Sequence, residues 1–226
     1  MQSIKKALTR RLLRSVDVSA GEDEGSEIVD GDGHRAYVGG LWEALGTLQF
    51  RFMVGQGLEP RHVLLDVACG SLRGGVRFIP YLEPGNYLGI DMQSRLIDAG
   101  VRKELGEKLS ALKQPEFVVS DRFEFDRFSK RPDFAIAQSL FSHLTAGDIS
   151  LCLRNLRAVA KPGTRFYASF FETERPLKNA EKSDPHGKFL YSRDQMSQFG
   201  AECGWSSRYI GDWNHPREQK MFEYFI

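Results

Sequence analysis

Cysteine is scarce in this sequence of 226 residues, and neither sign of charge is in excess. The three cysteines, Cys69, Cys152 and Cys203, are widely spaced, which predicts neither a disulfide framework nor a Cys-x-x-Cys metal site and favours a reducing, cytoplasmic location. A net charge of +1 argues against a dedicated nucleic-acid-binding domain, which usually carries a basic excess. No apolar run is long enough to span a membrane, and the N-terminus has no signal-peptide core. These absences leave an ordinary globular chain with enough residues for one good-sized core.

The first 33 residues differ in composition from the rest. Residues 2–16 carry five basic side chains and no acid, and their apolar residues recur every four positions, which predicts a basic amphipathic helix. A surface or cap helix is favoured over a membrane-surface or partner role. Residues 20–33 are acidic and Gly-rich, which predicts a flexible linker rather than a calcium loop. The folded domain is therefore expected to span residues 34–226, with an N-terminal cap helix within residues 34–60.

The rest of the chain is organised around the stretch Val63–Gly75. A short run of Val and Leu ends in Asp66 and is followed by small residues and then by a helix-like segment. This order is typical of a buried parallel strand that enters a tight turn, where the backbone approaches a ligand closely. A carboxylate just before the glycines suits a cationic ligand, whereas a dinucleotide fold needs this turn for a pyrophosphate. S-adenosylmethionine carries a sulfonium and an ammonium and no phosphate, and so meets that requirement.

The turn resembles the first motif of the class I S-adenosylmethionine-dependent methyltransferases, acid-x-Gly-x-Gly-x-Gly. Its four defining positions are occupied here by Asp66, Ala68, Gly70 and Leu72, so two of the three glycines are replaced. The longer string Asp-Val-Ala-Cys-Gly-Ser-Leu-Arg-Gly-Gly resembles the version found in a bacterial group of small-molecule methyltransferases. The string Leu-Arg-x-Val-Ala-Lys-Pro-Gly at residues 156–163 is similar to the signature that follows the fourth strand in the same family. The resemblance extends from the first strand to the C-terminus.

This resemblance implies an α/β fold: a Rossmann-like, seven-stranded, mostly parallel sheet with helices on both faces and an antiparallel strand at the C-terminus. The apolar segments of the chain fit that order. They predict strands at residues 63–67, 86–91, 116–120, 133–139, 165–171, 205–213 and 220–226. Residues 172–191 are polar and irregular, and we expect them to form an insertion that shapes the acceptor pocket.

The implied cofactor is S-adenosylmethionine. Asp91 ends the second predicted strand, 21 residues beyond Gly70, which is the interval at which Rossmann-like folds place an acid on the ribose hydroxyls. After the third strand, Asp121 is a candidate acceptor for the adenine amine, and Arg122 or Phe123 is a candidate wall against the adenine ring. The complete set of predicted cofactor-binding residues is Asp66, Ala68, Cys69, Gly70, Ser71, Arg73, Asp91, Met92, Asp121, Arg122, Phe123 and Gln138.

The methyl acceptor is expected at the carboxyl end of the fourth strand. The chain has no (Asp/Asn)-Pro-Pro-(Tyr/Phe) motif, which disfavours the amino-methyltransferases that act on adenine or glutamine. It also has no run of acids able to bind a divalent ion, so no metal is predicted. His143 and His186 are candidate general bases, with a structural role as the alternative for each. The predicted acceptor-binding residues are Tyr37, Trp42, Ser139, Glu172, Tyr191 and His215.

The sequence therefore predicts in-line transfer of a methyl group to a small metabolite, with a hydroxyl of a sugar or natural product favoured as the acceptor. An amine acceptor, which needs no strong base, stays open. An RNA or protein methyltransferase that docks through its basic N-terminal helix and a non-catalytic cofactor-binding module also stay open. Asp66 and the lack of a full Gly-x-Gly-x-x-Gly both oppose a nicotinamide-dependent oxidoreductase. The favoured prediction involves no nucleic acid and no membrane span, and it is compatible with a homodimer.

Overall fold

The computed structural model describes residues 33–226, so the predicted basic helix and all but the last residue of the predicted linker lie outside the described residues. The strands are β1 (Leu64–Val67), β2 (Tyr87–Asp91), β3 (Glu116–Val119), β4 (Phe134–Ala137), β5 (Arg165–Glu172), β6 (Leu190–Tyr191), β7 (Ser206–Asp212) and β8 (Lys220–Phe225). The helices are α1 (Gly33–Tyr37), α2 (Trp42–Gly55), α3 (Gly75–Tyr81), α4 (Ser94–Ala99), α5 (Glu107–Lys113), α6 (Ala146–Val159) and α7 (Arg193–Glu202). A π-helical segment, Gly100–Leu105, continues α4, and a 3-10 turn spans Phe125–Arg127.

The main path of the sheet has the strand order β3-β2-β1-β4-β5-β8-β7. The strands from β3 to β5 run parallel to one another, and β8 is antiparallel to both of its neighbours. The predicted seven-stranded, mostly parallel sheet with a C-terminal antiparallel strand is confirmed. The structure adds β6, which pairs in parallel with the end of β5 at Phe171 and Glu172. A two-residue strand is too short to show an alternating pattern, which is why the sequence does not predict it.

The central strands are buried along their whole length because helices cover both faces of the sheet. Successive side chains of β1 point to opposite faces, so Leu64 and Leu65 belong to different apolar clusters. The cluster around Leu65 includes the inner faces of α6 and α7, and the cluster around Leu64 includes side chains of α2, α3 and α4. The carboxyl ends of β1, β2 and β4 therefore meet at one edge of a rigid sheet, where ligands of such folds bind.

Helix α2 lies within residues 34–60, the segment for which the sequence predicts a cap helix, and it packs on the turn after β1. A Cβ at Gly46 would lie 2.6 Å from the Arg73 carbonyl oxygen, so only glycine allows this close approach. Two helices begin at residues of the type that caps helices: Thr145 caps α6, and Ser192 forms a full capping box on α7. Within residues 33–226, no helix combines the length and apolar character needed to cross a membrane.

Candidate active site

The turn after β1 has an unusual backbone. Ala68, Gly70 and Leu72 have φ angles of 60°, 54° and 69°, all in the left-handed region that side chains disfavour. Such conformations persist where the surrounding structure enforces them, and they cluster at ligand sites. At Gly70, a Cβ would stand 2.9 Å from Val38 Cγ1, so glycine is needed there for space as well as for conformation. This explains why Gly70 is kept although two other motif glycines are replaced.

Asp91 closes β2 beside this turn and is 8% exposed. Its Oδ2 accepts a hydrogen bond from the Gly70 amide at 2.9 Å, and its Oδ1 accepts one from the Gln93 amide at 2.9 Å. Burial raises the pKa of Asp91, against the backbone hydrogen bonds that lower it. Each carboxylate oxygen retains a further lone pair. Asp91 therefore fixes the turn and can still accept hydrogen bonds from a pair of hydroxyl groups.

Asp66 lies within β1, below the turn, and is buried. The Tyr87 hydroxyl donates a hydrogen bond to its Oδ2 at 2.7 Å. Burial raises the pKa of Asp66 to about 7, although the Tyr87 hydrogen bond and the charge of Arg73 oppose the rise. A carboxyl group that is half ionised at neutral pH gains its charge fully when a cation is placed beside it. The site is therefore suited to a positively charged ligand.

Arg73, in the same turn, is buried and has three hydrogen bonds on its two terminal nitrogens. Nη1 donates to the carbonyls of Val38 at 2.7 Å and Gly40 at 3.0 Å, and Nη2 donates to Gln138 Oε1 at 2.5 Å. Nε is buried and has no hydrogen-bond partner among the described residues. Burial and then the charge of Arg217 lower the pKa of Arg73 to about 10, so it stays cationic at neutral pH. An unpartnered buried donor costs about 1–3 kcal/mol, which an anionic ligand would recover.

Residues 33–40, called the strap below, cross over this turn. The strap is tied down from several directions besides Arg73. Three further ties are hydrogen bonds from Ser71 Oγ to the His34 carbonyl (3.1 Å), from Gln93 Nε2 to the Tyr37 hydroxyl (2.6 Å) and from Arg217 Nη2 to the Gly39 carbonyl (2.6 Å). Glu104 adds a hydrogen bond with His34 and an ion pair with Arg35. These ties come from four parts of the chain that are distant in sequence, so the strap is held in one position over the turn.

The closed strap leaves a cavity of about 40 Å³ above the turn. Its lining residues are Val38, Gln49, Asp66, Ala68, Cys69, Gly70, Arg73, Gly74 and Gln138. This volume is far below the roughly 300–1,000 Å³ of pockets for small molecules. A ligand of nucleoside size can reach the turn only if the strap moves.

A second, open cleft of about 910 Å³ lies at the carboxyl ends of β5 and β7. Its lining is polar throughout and consists of Glu172, Thr173, Glu174, Ser192, Arg193, Asp194, Asp212, Asn214, His215, Glu218 and Lys220. Within it, Glu172 accepts hydrogen bonds from Arg193 Nε at 2.5 Å and from the Tyr209 hydroxyl at 2.7 Å. Burial acts to raise the pKa of Glu172, but these hydrogen bonds outweigh it and lower the pKa overall. The cleft is therefore charged and suits a small molecule rich in hydrogen-bonding groups.

Gln138 and His215 form the wall between the small cavity and the cleft. Gln138 lines the cavity, His215 lines the cleft, and their Nε2 atoms lie 3.0 Å apart. Arg73 and Gln49 both donate to Gln138 Oε1, which fixes the orientation of the amide. Burial, with the charges of Arg73 and Arg217, lowers the pKa of His215 to about 4. His215 is thus neutral at pH 7, and its hydrogen bond with Gln138 links the linings of the two spaces.

Solved structures with the same fold include several methyltransferases. Magnesium protoporphyrin IX methyltransferase from Synechocystis PCC 6803, with S-adenosylmethionine bound, is 15% identical over 98% of this chain and 91% of that chain, with a TM-score of 0.60. Glycopeptide N-methyltransferase MtfA is 17% identical over 80% of this chain and 90% of that chain, with a TM-score of 0.63. Streptomyces venezuelae DesVI is 13% identical over 81% of this chain and 91% of that chain, with a TM-score of 0.58. Identities this low show a common fold.

A family model matches the central part of the sequence. Residues 65–166, which run from β1 into β5 and include the turn, Asp91 and Gln138, match the family model of a methyltransferase domain. The chain therefore carries a methyltransferase domain, and it shares its fold with S-adenosylmethionine-dependent methyltransferases.

In the methyltransferase, the two histidines predicted as bases lie on the insertion side of the site. His143, in the loop after β4, is half-buried, and its Nδ1–H donates to the Gly187 carbonyl at 2.7 Å. This bond leaves the lone pair of Nε2 available as a base. Burial lowers the pKa of His143, against the Gly187 hydrogen bond. His186 is exposed, and its ring meets the Tyr37 ring edge-on at 5.8 Å between centroids.

The structure brings together around the cavity six of the predicted cofactor residues: Asp66, Ala68, Cys69, Gly70, Arg73 and Gln138. Asp91 and the exposed Met92 stand next to this group at the end of β2. Farther along the edge, in the loop after β3, Asp121 and Arg122 are exposed and Phe123 is half-buried. The predicted cofactor residues are thus buried around the turn and exposed or half-buried beyond Asp91.

Among the predicted acceptor residues, Glu172 and His215 line the cleft, and Tyr37 belongs to the strap. Ser139, next to Gln138, hydrogen-bonds Gln219 Oε1 at 3.1 Å and has a φ of 59°. Two others lie away from both spaces. Trp42 is buried against His34 and Arg35, and Tyr191 packs on Phe199 and donates its hydroxyl to the Leu144 carbonyl at 2.7 Å.

Sequence reasoning misses three polar residues of the site. Gln93 contacts both Asp91 and Tyr37, and its position two residues after a strand-end acid is a usable local signal. Gln49 lies on the buried face of α2, where a polar residue among apolar neighbours marks a functional contact. Arg217 reaches the strap across 178 positions, and no local pattern predicts that. Among residues 33–226, no group of three or more His, Cys, Asp or Glu side chains could hold a metal ion.

Proposed function

We propose that this enzyme transfers the methyl group of S-adenosylmethionine to a hydroxyl group of a small metabolite such as a sugar or a natural product. One observation carries the proposal: the charged cavity at the turn adjoins a polar cleft of about 910 Å³ through the Gln138–His215 pair. A donor and an acceptor bound in the two spaces would meet at the carboxyl end of β4. The reacting atoms must come within about 3–3.5 Å, so an arrangement of two adjoining sites is what the reaction requires.

The residues of the turn suit S-adenosylmethionine. Asp66 and Asp91 are buried carboxyl groups available to a ligand that carries a sulfonium, an ammonium and ribose hydroxyls. Arg73 offers its unpartnered Nε to the carboxylate of such a ligand. When bound, the cofactor supplies an activated methyl group on sulfur. The chain itself then has to orient the acceptor, exclude water and accept a proton.

The composition of the cleft supports a polar acceptor. All of its lining side chains are able to form hydrogen bonds, and carboxylates such as Glu172 can accept hydrogen bonds from the hydroxyl groups of a sugar. The similar folds named for a porphyrin and for a glycopeptide, both far smaller than a folded RNA or protein, support a small-molecule acceptor. We also propose a cytoplasmic location, which the three buried, unbridged cysteines support.

For the proton, we propose His143 or His186 as the general base. His143 has the more favourable arrangement, because Gly187 fixes its tautomer and burial keeps the ring neutral at pH 7. His186 lies against Tyr37 in the strap and faces solvent. His215 is less suited to the task, because a group with a pKa of about 4 is a weak base.

The first experiment is calorimetric titration with S-adenosylmethionine, S-adenosylhomocysteine and NAD, followed by methyl-label transfer to panels of sugars and of amines. We expect binding of the first two ligands, none of NAD, and label on a sugar hydroxyl. Binding of NAD alone would overturn the assignment of the turn. Label on amines alone would keep the enzyme class and overturn the hydroxyl acceptor.

A further inference from the structure

The strap, the turn and the wall of the cleft all meet at the guanidinium of Arg73. Its Nη1 donates to two strap carbonyls, those of Val38 and Gly40, and its Nη2 donates to Gln138. The side chain lines the small cavity, and its Nε is buried without a partner among the described residues. One cation therefore serves the strap and the wall while its remaining edge is unsatisfied.

The geometry of a guanidinium allows one part of Arg73 to bind the strap and another part to bind a ligand. Its five N–H groups lie in one plane, and the Nε–Nη2 edge is the one that a carboxylate commonly grips with two parallel hydrogen bonds. Nη2 has a second N–H besides the one given to Gln138. A carboxylate on that edge would satisfy Nε and leave both Nη1 contacts to the strap in place. Ligand and strap can therefore share Arg73 without competing.

The strap also reaches the acceptor side. Tyr37 hydrogen-bonds Gln93, the neighbour of the ribose-site acid, and its ring packs against His186 of the insertion. The cavity under the closed strap, at about 40 Å³, is far smaller than a pocket for a small molecule, at roughly 300–1,000 Å³, so the strap must open before a cofactor reaches the turn. Once it has closed again, Tyr37 and His186 are returned to contact.

We propose that Arg73 couples cofactor binding to closure of the strap: it grips the cofactor carboxylate through Nε and latches Val38 and Gly40 through Nη1, so that a bound cofactor holds the strap closed and keeps Tyr37 in contact with His186. This inference rests on the proposed function. Closure of the strap then depends on the amino-acid end of the ligand, which carries the carboxylate, and not on its nucleoside end.

Two other arginines provide matched controls. Arg217 donates to the Gly39 carbonyl at 2.6 Å but does not line the cavity, so Arg217→Gln loosens the strap without touching the ligand. Arg77 lies four positions beyond Arg73 and pairs with the exposed Glu43, so Arg77→Gln removes an arginine from the same region without affecting strap or cavity.

The test measures amide hydrogen exchange in the strap, where the Gly39 and Gly40 amides are hydrogen-bonded to the Ala36 and Arg35 carbonyls. S-adenosylhomocysteine should slow this exchange about tenfold in the wild type, in Arg77→Gln and, from a faster baseline, in Arg217→Gln. It should not slow exchange in Arg73→Gln. The same variant should bind S-adenosylhomocysteine about 10–100-fold more weakly, the scale of a lost charge-assisted contact. It should bind 5′-methylthioadenosine, which lacks the amino-acid end, as the wild type does.

Equal weakening of both ligands in Arg73→Gln, or strap exchange that S-adenosylhomocysteine slows in this variant as in the wild type, would overturn the coupling. If Arg73→Gln fails to fold, Arg73→Lys replaces it, because lysine keeps the charge but has only three donors on a single nitrogen, too few for the two strap carbonyls, Gln138 and the two-bond contact with a carboxylate. That variant should bind the ligand with an unprotected strap, and full protection would contradict the proposal. A wild-type protein that binds neither ligand would overturn the proposed function itself, which is a separate result.

Discussion

At the scale of single residues, Asp91 has two tasks, since it holds the Gly70 amide in the turn and faces the predicted ribose site. Asp91→Ala should weaken binding of S-adenosylhomocysteine by about 2 kcal/mol, the size expected for lost charge-assisted hydrogen bonds. Isothermal titration measures this change. Asp126→Ala, which removes an exposed carboxylate from the 3-10 turn, is the control and should bind normally. Unchanged affinity in Asp91→Ala would remove this residue from the site.

Asp66 predicts a pH dependence. Its pKa of about 7, against an ordinary value of 3.8, is raised by burial, and Tyr87, Arg73 and Asp91 are the ionisable groups that face it. The ammonium group of S-adenosylhomocysteine needs the ionised form of Asp66 beside it, so affinity for this ligand should rise as pH increases from about 5.5 to 7 and level off above that range. Titrations across this range in the wild type and in Asp66→Asn test the prediction. The same slope in the variant would assign the titration to another group.

The raised pKa of Asp66 also makes the stability of the fold depend on pH, but here an increase in pH lowers stability. The folded state keeps the Asp66 proton that the unfolded chain loses near pH 4, so this group stabilises the fold most at low pH and loses that contribution as pH rises to about 7. Asp66→Asn removes the ionisation and should flatten this part of the stability curve, measured by denaturant unfolding at each pH. A curve that keeps its slope would show that the Asp66 pKa is not shifted upward.

His143 predicts a kinetic effect without a binding effect. His143→Ala should reduce turnover about 100-fold or more if Nε2 accepts the acceptor proton, while the affinity for S-adenosylhomocysteine stays unchanged. His186→Ala is the parallel variant, because His186 is exposed and touches the strap through Tyr37. Single-turnover rates with an identified acceptor measure both. Normal rates in His143→Ala would show that His143 has only a structural role, through its hydrogen bond to the Gly187 carbonyl.

At the scale of elements, the helix caps show how well a short sequence pattern predicts local structure. Ser192 was predictable from Ser-x-x-Gln, and in the structure its Oγ accepts from the Gln195 amide at 3.2 Å while Gln195 Oε1 accepts from the Ser192 amide at 3.0 Å. Because Ser192→Ala removes this cap, it should lower the free energy of unfolding by about 1 kcal/mol. Ser197→Ala, on the exposed face of α7, should change it by less than about 0.5 kcal/mol. Equal effects in the two variants would show that the cap contributes nothing.

The strap shows what a local sequence pattern does not predict, namely contacts between residues that are distant in sequence. Tyr37 could be predicted as a roof over the ligand, but the strap is held by Ser71, Arg73, Gln93 and Arg217, whose contacts depend on how four parts of the chain meet. Trp42 and Tyr191 illustrate the converse. Their residue types suit a ligand, yet the structure uses both rings for packing, which is the commoner fate of large aromatics.

At the scale of the whole molecule, the order of strands followed from the alternation of apolar runs and helical segments together with the family resemblance, and it is confirmed. Positions at strand ends were predictable for a related reason: the carboxyl ends of parallel strands share one edge, so Asp66, Asp91 and Gln138 were expected to lie together. The polar character of the cleft was not predictable, because its lining comes from β5, α7, β7 and β8, and no single segment carries it.

The bond from Arg217 to Gly39 also bears on how the protein is made. It joins residues 178 positions apart, near opposite ends of the described chain. Chains leave the ribosome N-terminus first, so residues 33–40 emerge well before Arg217. A nascent chain that stops short of the β7–β8 hairpin can build most of the parallel sheet and can make the contacts of the strap with Ser71, Arg73, Gln93 and Glu104, but not the contact with Arg217. Synthesis of the hairpin, rather than formation of the parallel sheet, therefore sets the moment at which a newly made molecule gains the last of these contacts.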